Sequence, residues 1–172
     1  MRALFAAAAA VLLLSSPVRA DDLQRYLVHL KLGDSLKQVQ RIYPPSQDWP
    51  AYVEPRGRVT RMRADRAFLK KPDPHIETLW LGFKHGSLVE VQVIYTKEFT
   101  RDTSADALAG DWSSIYGEPR RTDDGRYYWG DGSTVLRVFY AEVPVLKDKG
   151  QQSVEFRTSI QLMDAGLFER VD

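Results

Sequence analysis

Three histidines, scattered serines and many carboxylates are the residues of this 172-residue chain with catalytic or metal-binding chemistry to offer. His29 sits among Leu27, Val28 and Leu30, His75 follows Asp73-Pro74, and His85 falls at a hairpin tip. No two of them stand at the i, i+4 spacing that puts two imidazoles on one helical face around a metal. The chain has no cysteine, which removes thiolate nucleophiles, zinc–thiolate sites, iron–sulfur clusters and disulfides. No serine lies in a Gly-x-Ser-x-Gly elbow, and Ser133 reads as a turn residue after Asp131-Gly132. Gly130-Asp131-Gly132 is itself a turn, since a phosphate-cradling loop needs a helix and a lysine behind it. The expectation is a protein that is not an enzyme, with no metal and no cofactor. A hydrolase assembled from residues far apart in sequence stays open as an alternative.

Binding chemistry is better represented. Within residues 56–71 lie Arg56, Arg58, Arg61, Arg63, Arg66, Lys70 and Lys71, against a single acid, Asp65. Such a cluster suits phosphate or carboxylate recognition, so an anionic lipid, a lipopolysaccharide or an acidic partner surface are its candidate ligands. The same charges would also serve as a solvated strand edge that resists aggregation. Trp49, Tyr52 and Tyr128 are the candidate aromatic contacts, because Tyr, Trp and Arg dominate binding hot spots. Trp80, Tyr127 and Trp129 belong to the same pool, and core packing is the competing fate for all six.

The first twenty residues supply an address. Met1-Arg2 precedes an almost wholly apolar run from Ala3 to Leu14, Ser15-Ser16-Pro17 breaks it, and Ala20 precedes Asp21-Asp22. That is the layout of a secretory signal peptide cleaved after Ala20, and the run is shorter than the roughly 20 residues of a spanning helix. Its removal takes Arg2 and Arg19, so 22 of the 24 basic residues remain against 23 acids and the net charge is −1. A near-neutral chain does not suit general nucleic-acid binding. The expectation is an exported, soluble periplasmic protein, with one domain over residues 21–172 and no membrane span in the mature chain.

The elements that must position these residues are partly readable. Val154, Phe156, Thr158, Ile160 and Leu162 alternate with Ser153, Glu155, Arg157, Ser159 and Gln161. This predicts a strand with one buried and one wet face. Leu79, Leu81 and Phe83 lead to Lys84-His85-Gly86 and return through Val89, Val91, Val93 and Tyr95 as a hairpin. Tyr127-Tyr128-Trp129 leads to a second hairpin turn and returns through Leu136, Val138 and Tyr140. Val59 to Ala64 offers a further strand. Helices are predicted over 35–43, with Ser35 and Gln38 as a capping box, and over 104–116, stopped by Gly117 and Pro119.

The phrase Leu32-Gly33-Asp34-Ser35-Leu36-Lys37-Gln38-Val39-Gln40-Arg41-Ile42-Tyr43-Pro44 half-returns as Trp112-Ser113-Ser114-Ile115-Tyr116-Gly117-Glu118-Pro119, followed by Tyr128-Trp129 and a tight turn. This pattern resembles the SmpA/BamE-like outer-membrane assembly proteins and the wider group with the β-lactamase-inhibitor-protein-like fold. The resemblance implies helices on one face of an antiparallel sheet, sometimes in tandem, and a non-catalytic, protein-binding role in the cell envelope. The chain departs from the assembly lipoproteins in lacking their lipid-bearing cysteine. The expected fold is therefore α+β: about five or six antiparallel strands with amphipathic helices on one face. Two candidate repeat units span 30–98 and 103–165; the first needs 27 extra residues between its helix and its hairpin turn, which the Pro- and Arg-rich stretch 44–75 can supply.

Overall fold

The turn at His85-Gly86 sets the register of the longest hairpin in the first half. Both residues have positive φ (51° and 81°), the geometry of a two-residue type I′ turn whose twist matches its strands. It joins strands over Ile76–Lys84 and Ser87–Tyr95, and Leu79, Leu81, Val91 and Val93 on their shared face are fully buried. The computed structural model describes residues 23–54, 59–146 and 152–168. The expected signal peptide and Arg56 and Arg58 lie outside the described residues.

In chain order the strands are β1 (Tyr26–Leu27), β2 (Leu30–Lys31), β3 (Ala51–Glu54), β4 (Val59–Asp65), β5 (Ile76–Lys84), β6 (Ser87–Tyr95), β7 (Arg120–Arg121), β8 (Tyr127–Gly130), β9 (Thr134–Leu146) and β10 (Gln152–Asp164). The helices are α1 (Leu36–Ile42), α2 (Lys97–Asp102), α3 (Ala105–Tyr116) and α4 (Ala165–Phe168), with a 3-10 turn over Arg66–Phe68. β1 and β2 form a separate small hairpin. The other eight strands make one antiparallel sheet in the order β3-β4-β5-β6-β10-β9-β8-β7. Each half of that sheet is a four-strand meander that follows a helix. The halves meet through their last strands, with Gln92 of β6 opposite Gln161 of β10.

This corrects the expected fold class. The protein is mostly sheet, with eight strands where five or six were expected, and its helices are short. β3 and β7 were missed because each pairs along one side only. Such short edges need no sustained apolar alternation of their own.

Local chemistry explains the helices. Ser35 and Gln38 form the reciprocal capping box at the start of α1. Ser104 accepts from the Ala107 N–H at the start of α3, and Gly117 closes that helix at φ 78°. Val39 of α1 and Ala105 and Ala109 of α3 bury against Leu79, Leu81, Val138, Ile160 and Leu162, which forms the core.

The wet-and-dry reading of β10 needs a second correction. Ile160 and Leu162 are buried as expected, but Val154 and Phe156 on the same side are 54% and 59% exposed. Ser159 and Gln161, expected wet, are buried. β6 pairs with β10 only over Ser159–Met163, so residues 152–158 continue past the sheet as a two-stranded ribbon with β9. At its root, Thr100 Oγ1 of α2 accepts from the Thr158 N–H at 3.0 Å.

Candidate functional site

On the sheet face turned away from α1 and α3, the register lines up one row across seven strands. Arg63 stands opposite Trp80, Trp80 opposite Gln92, Gln92 opposite Gln161, Gln161 opposite Arg137, Arg137 opposite Tyr128, and Tyr128 opposite Arg120. At a strand spacing of about 4.8 Å the row runs roughly 29 Å. Both of its ends carry an aromatic ring beside an arginine.

The Trp80 end is fixed on several sides. Tyr52 of β3 meets the indole edge-on, with ring centroids 5.7 Å apart, and the Arg63 guanidinium lies 5.6 Å from its centroid. Asp65 holds Arg63 at 2.8 Å and also accepts from the Thr78 hydroxyl at 2.7 Å. Tyr52 is 46% exposed, so the cluster faces solvent while its members hold one another.

The middle of the row, Gln161 and Arg137, belongs to a buried chain of polar groups. Arg61 donates to Glu90 through Nε (3.0 Å) and Nη2 (2.9 Å), and its Nη1 lies 2.9 Å from Glu54. The Gln161 amide donates to Glu90, and the Gln161 carbonyl accepts from Arg137 Nε (3.1 Å) and Nη2 (2.7 Å). Glu90, Gln161 and Arg137 are each under 5% exposed. Burial works against the Arg61 charge, but the Glu90 and Glu54 carboxylates outweigh it and raise the pKa above the usual arginine value. The charges cancel along the chain, and each carboxylate is already held by a cation or an amide. The Ser159 hydroxyl donates to the Val93 carbonyl at 2.8 Å and accepts from the Gln92 amide. That placement anchors the strand pair and does not set the hydroxyl against a base.

The residues singled out by sequence fall in different places. Arg61 and Arg63 project from the same face of β4, but each is tied to acids of its own sheet. Arg66 donates to the Pro74 carbonyl at 2.8 Å, and Lys70 and Lys71 are exposed. The basic segment is thus part strand and part loop, and its Arg61 charge is held within the fold by Glu90 and Glu54. Trp49 is 5% exposed, its indole N–H pointing at the Phe68 carbonyl, so its ring belongs to the core. Tyr52 and half-buried Tyr128 lie on the open face, at opposite ends. Gln92, Glu90, Arg137, Gln161 and Arg120 carried no signal, because polar residues in an alternating strand read as a solvated face. Among the described residues no three His, Asp or Glu side chains gather as a metal site. No helix there is long and apolar enough to cross a membrane.

The fold and this face define a class: an open, eight-stranded antiparallel sheet with helices on one side and an arginine–aromatic row on the other. Compared as a whole, the chain matches no family model, no curated protein and no solved structure.

Proposed function

We propose that this is a non-catalytic protein of the bacterial periplasm that binds a protein partner of the cell envelope through the open face of its sheet. The observation that carries this reading is the Tyr52–Trp80–Arg63 cluster at one end of a row about 29 Å long. Tyr, Trp and Arg are the residue types that supply most binding energy at protein interfaces. Holding them in place beforehand reduces the ordering cost of association. Gln161 and Arg137 in the middle of the row are buried, so contact falls to its two ends, Tyr52–Trp80 and Tyr128, whose separation suits a protein footprint of about 800 Å² better than a small molecule.

The export part rests on residues 1–20. Leu23 is buried, and its N–H donates to Asp131 at 2.7 Å, so a cut after Ala20 leaves this anchor in the mature chain. Burial works against the Asp131 charge, but N–H donors from Ser133, Thr134 and Leu23 outweigh it and hold its pKa below the usual carboxylate value.

The test is photo-crosslinking in intact cells from a benzoylphenylalanine at position 52, 80 or 128, with position 111 on the outer side of α3 as control. One envelope protein captured from the sheet positions and not from 111 is the expected result. Equal capture from all four positions, or none, rejects the binding face. Recovery of the exported chain with Met1 still in place rejects the periplasmic assignment.

A further inference from the structure

β9 is paired unequally on its two sides. β10 pairs with all of it, from Thr134 to Leu146, whereas β8 pairs only with Val135–Val138. From Phe139 onward, one edge of β9 has no strand against it among the described residues. A cleft of about 460 Å³ lies at that position, at the end of β8. Its walls include Arg126 and Tyr127 at the β8 end, Asp106 of α3, and Tyr140, Glu142 and Phe156 of the ribbon.

We infer that this edge is a docking slot for an extended segment of a partner protein, which adds to β9 as an antiparallel strand in line with β8. An unpaired edge offers backbone N–H and C=O groups at strand spacing, and side-chain pockets beside it select the guest. Tyr140 and Phe156 share one face of the slot at 43% and 59% exposure, an apolar seat for alternate side chains. Pro144, which has no N–H, sets the far end, so the guest pairs with residues 139–143.

Charge selects the occupant. The two arginines at the cleft are engaged: Arg126 lies 2.7 Å from Asp124 and over the Phe139 ring, and Arg121 lies over the Tyr127 ring. Glu142 is exposed, and its side chain makes no ion pair or hydrogen bond among the described residues. The guest therefore carries Lys or Arg opposite Glu142 and, two positions away on the same face, an apolar residue opposite Tyr140, with Phe156 behind Glu142 in the same rung. A second copy of this chain fits less well, since it would bring a second Glu142 to the same face. The slot is separate from the Trp80 cluster, so it stands or falls without that reading.

The probe is a set of acetylated, amidated heptapeptides with Val or Phe at alternate positions, Thr between them, and one Lys replacing each Val or Phe in turn, on the face that Tyr140 and Glu142 share. With isotope-labelled protein, saturation by the best member should slow amide exchange within residues 139–143 by about tenfold. Methylating alternate backbone nitrogens of that peptide should abolish binding. Glu142→Lys, at an exposed site, should leave folding intact and reverse the preference from Lys peptides to the matching Glu peptides. Millimolar peptide with no slowing at 139–143 overturns the proposal. So does equal binding of the N-methylated peptide, or protection of the same amides by dimerisation of the protein alone.

Discussion

The Arg61 guanidinium reaches the Glu90 carboxylate across the backbone of Gly82, with Nη2 and Oε2 2.8 Å apart. The two residues sit on strands that are not neighbours, and the strand between them contributes no side chain at the crossing. Glu90 is 2% exposed, so water cannot take the place of this contact. Removing one partner of a buried pair leaves the other charge stranded, at a cost of about 3–5 kcal/mol. Arg61→Met should therefore lower the unfolding free energy by about 3 kcal/mol in urea titration. Adding Glu90→Gln, which can still accept from Gln161, should recover at least half of the loss. A single variant as stable as the parent would mean that the pair contributes little. Arg63, by contrast, meets Asp65 at the surface, where an ion pair contributes about 0–1 kcal/mol, so Arg63→Ser should fold normally.

Gly82 is required by the same crossing. A Cβ there would lie 2.9 Å from both Glu90 Cβ and Oε2, and 3.2 Å from a Val59 methyl carbon. Gly82→Ala must push Glu90 away from Arg61 or separate two strands, and overpacking of this kind costs about 1–3 kcal/mol. A melting temperature several degrees below the parent is expected. In a Glu90→Ala background, where the clashing carboxylate is gone, the added penalty of Gly82→Ala should shrink.

Alkaline pH should unfold the protein through its buried phenols. Burial, and then the nearby Asp73 carboxylate, push Tyr95 up to about 12, and the same causes, in the same order, put Tyr43 at about 12. An unfolded tyrosine ionises near 10. The neutral phenol is thus favoured in the folded state. Its stabilisation is complete below pH 10 and is lost as pH rises from about 10 towards 12. Tyr95→Phe keeps the ring stacked on Phe99, whose centroid is 4.1 Å away, and removes the titration. Thermal melts between pH 8 and 11.5 should fall less steeply for this variant. Parallel curves for variant and parent would exclude Tyr95 as a source of the alkaline loss.

Phe156 and Ile160 lie on one side of the same strand, yet Phe156 is 59% exposed and Ile160 fully buried. Phe156→Ala should change stability by less than about 1 kcal/mol, while Ile160→Ala should cost about 2–5 kcal/mol by opening a cavity in the core. Chemical denaturation of the two variants checks this directly. Equal losses would place the Phe156 ring in a buried contact.

The sequence by itself determined the local decisions. Ser35 and Gln38 start α1, Gly117 stops α3, and His85-Gly86 turns the first long hairpin, because each depends on backbone groups within a few residues. Alternation marked β5, β6 and β10 as strands for the same reason. Which side of a strand is dry was a tertiary decision. Gln161 is buried because β6 and β9 flank it with Gln92 and Arg137. Phe156 is exposed because β6 has already ended where it lies. The row from Arg63 to Arg120 draws on residues up to about a hundred positions apart, and it exists only in the pairing register of seven strands. The pairing of Arg61 with Glu90 likewise depended on register, since nothing in either segment announces that a glycine will stand between them. Strand partners are chosen by long-range packing, and that choice decided which charges stabilise the fold and which side chains remain on the surface to meet a partner.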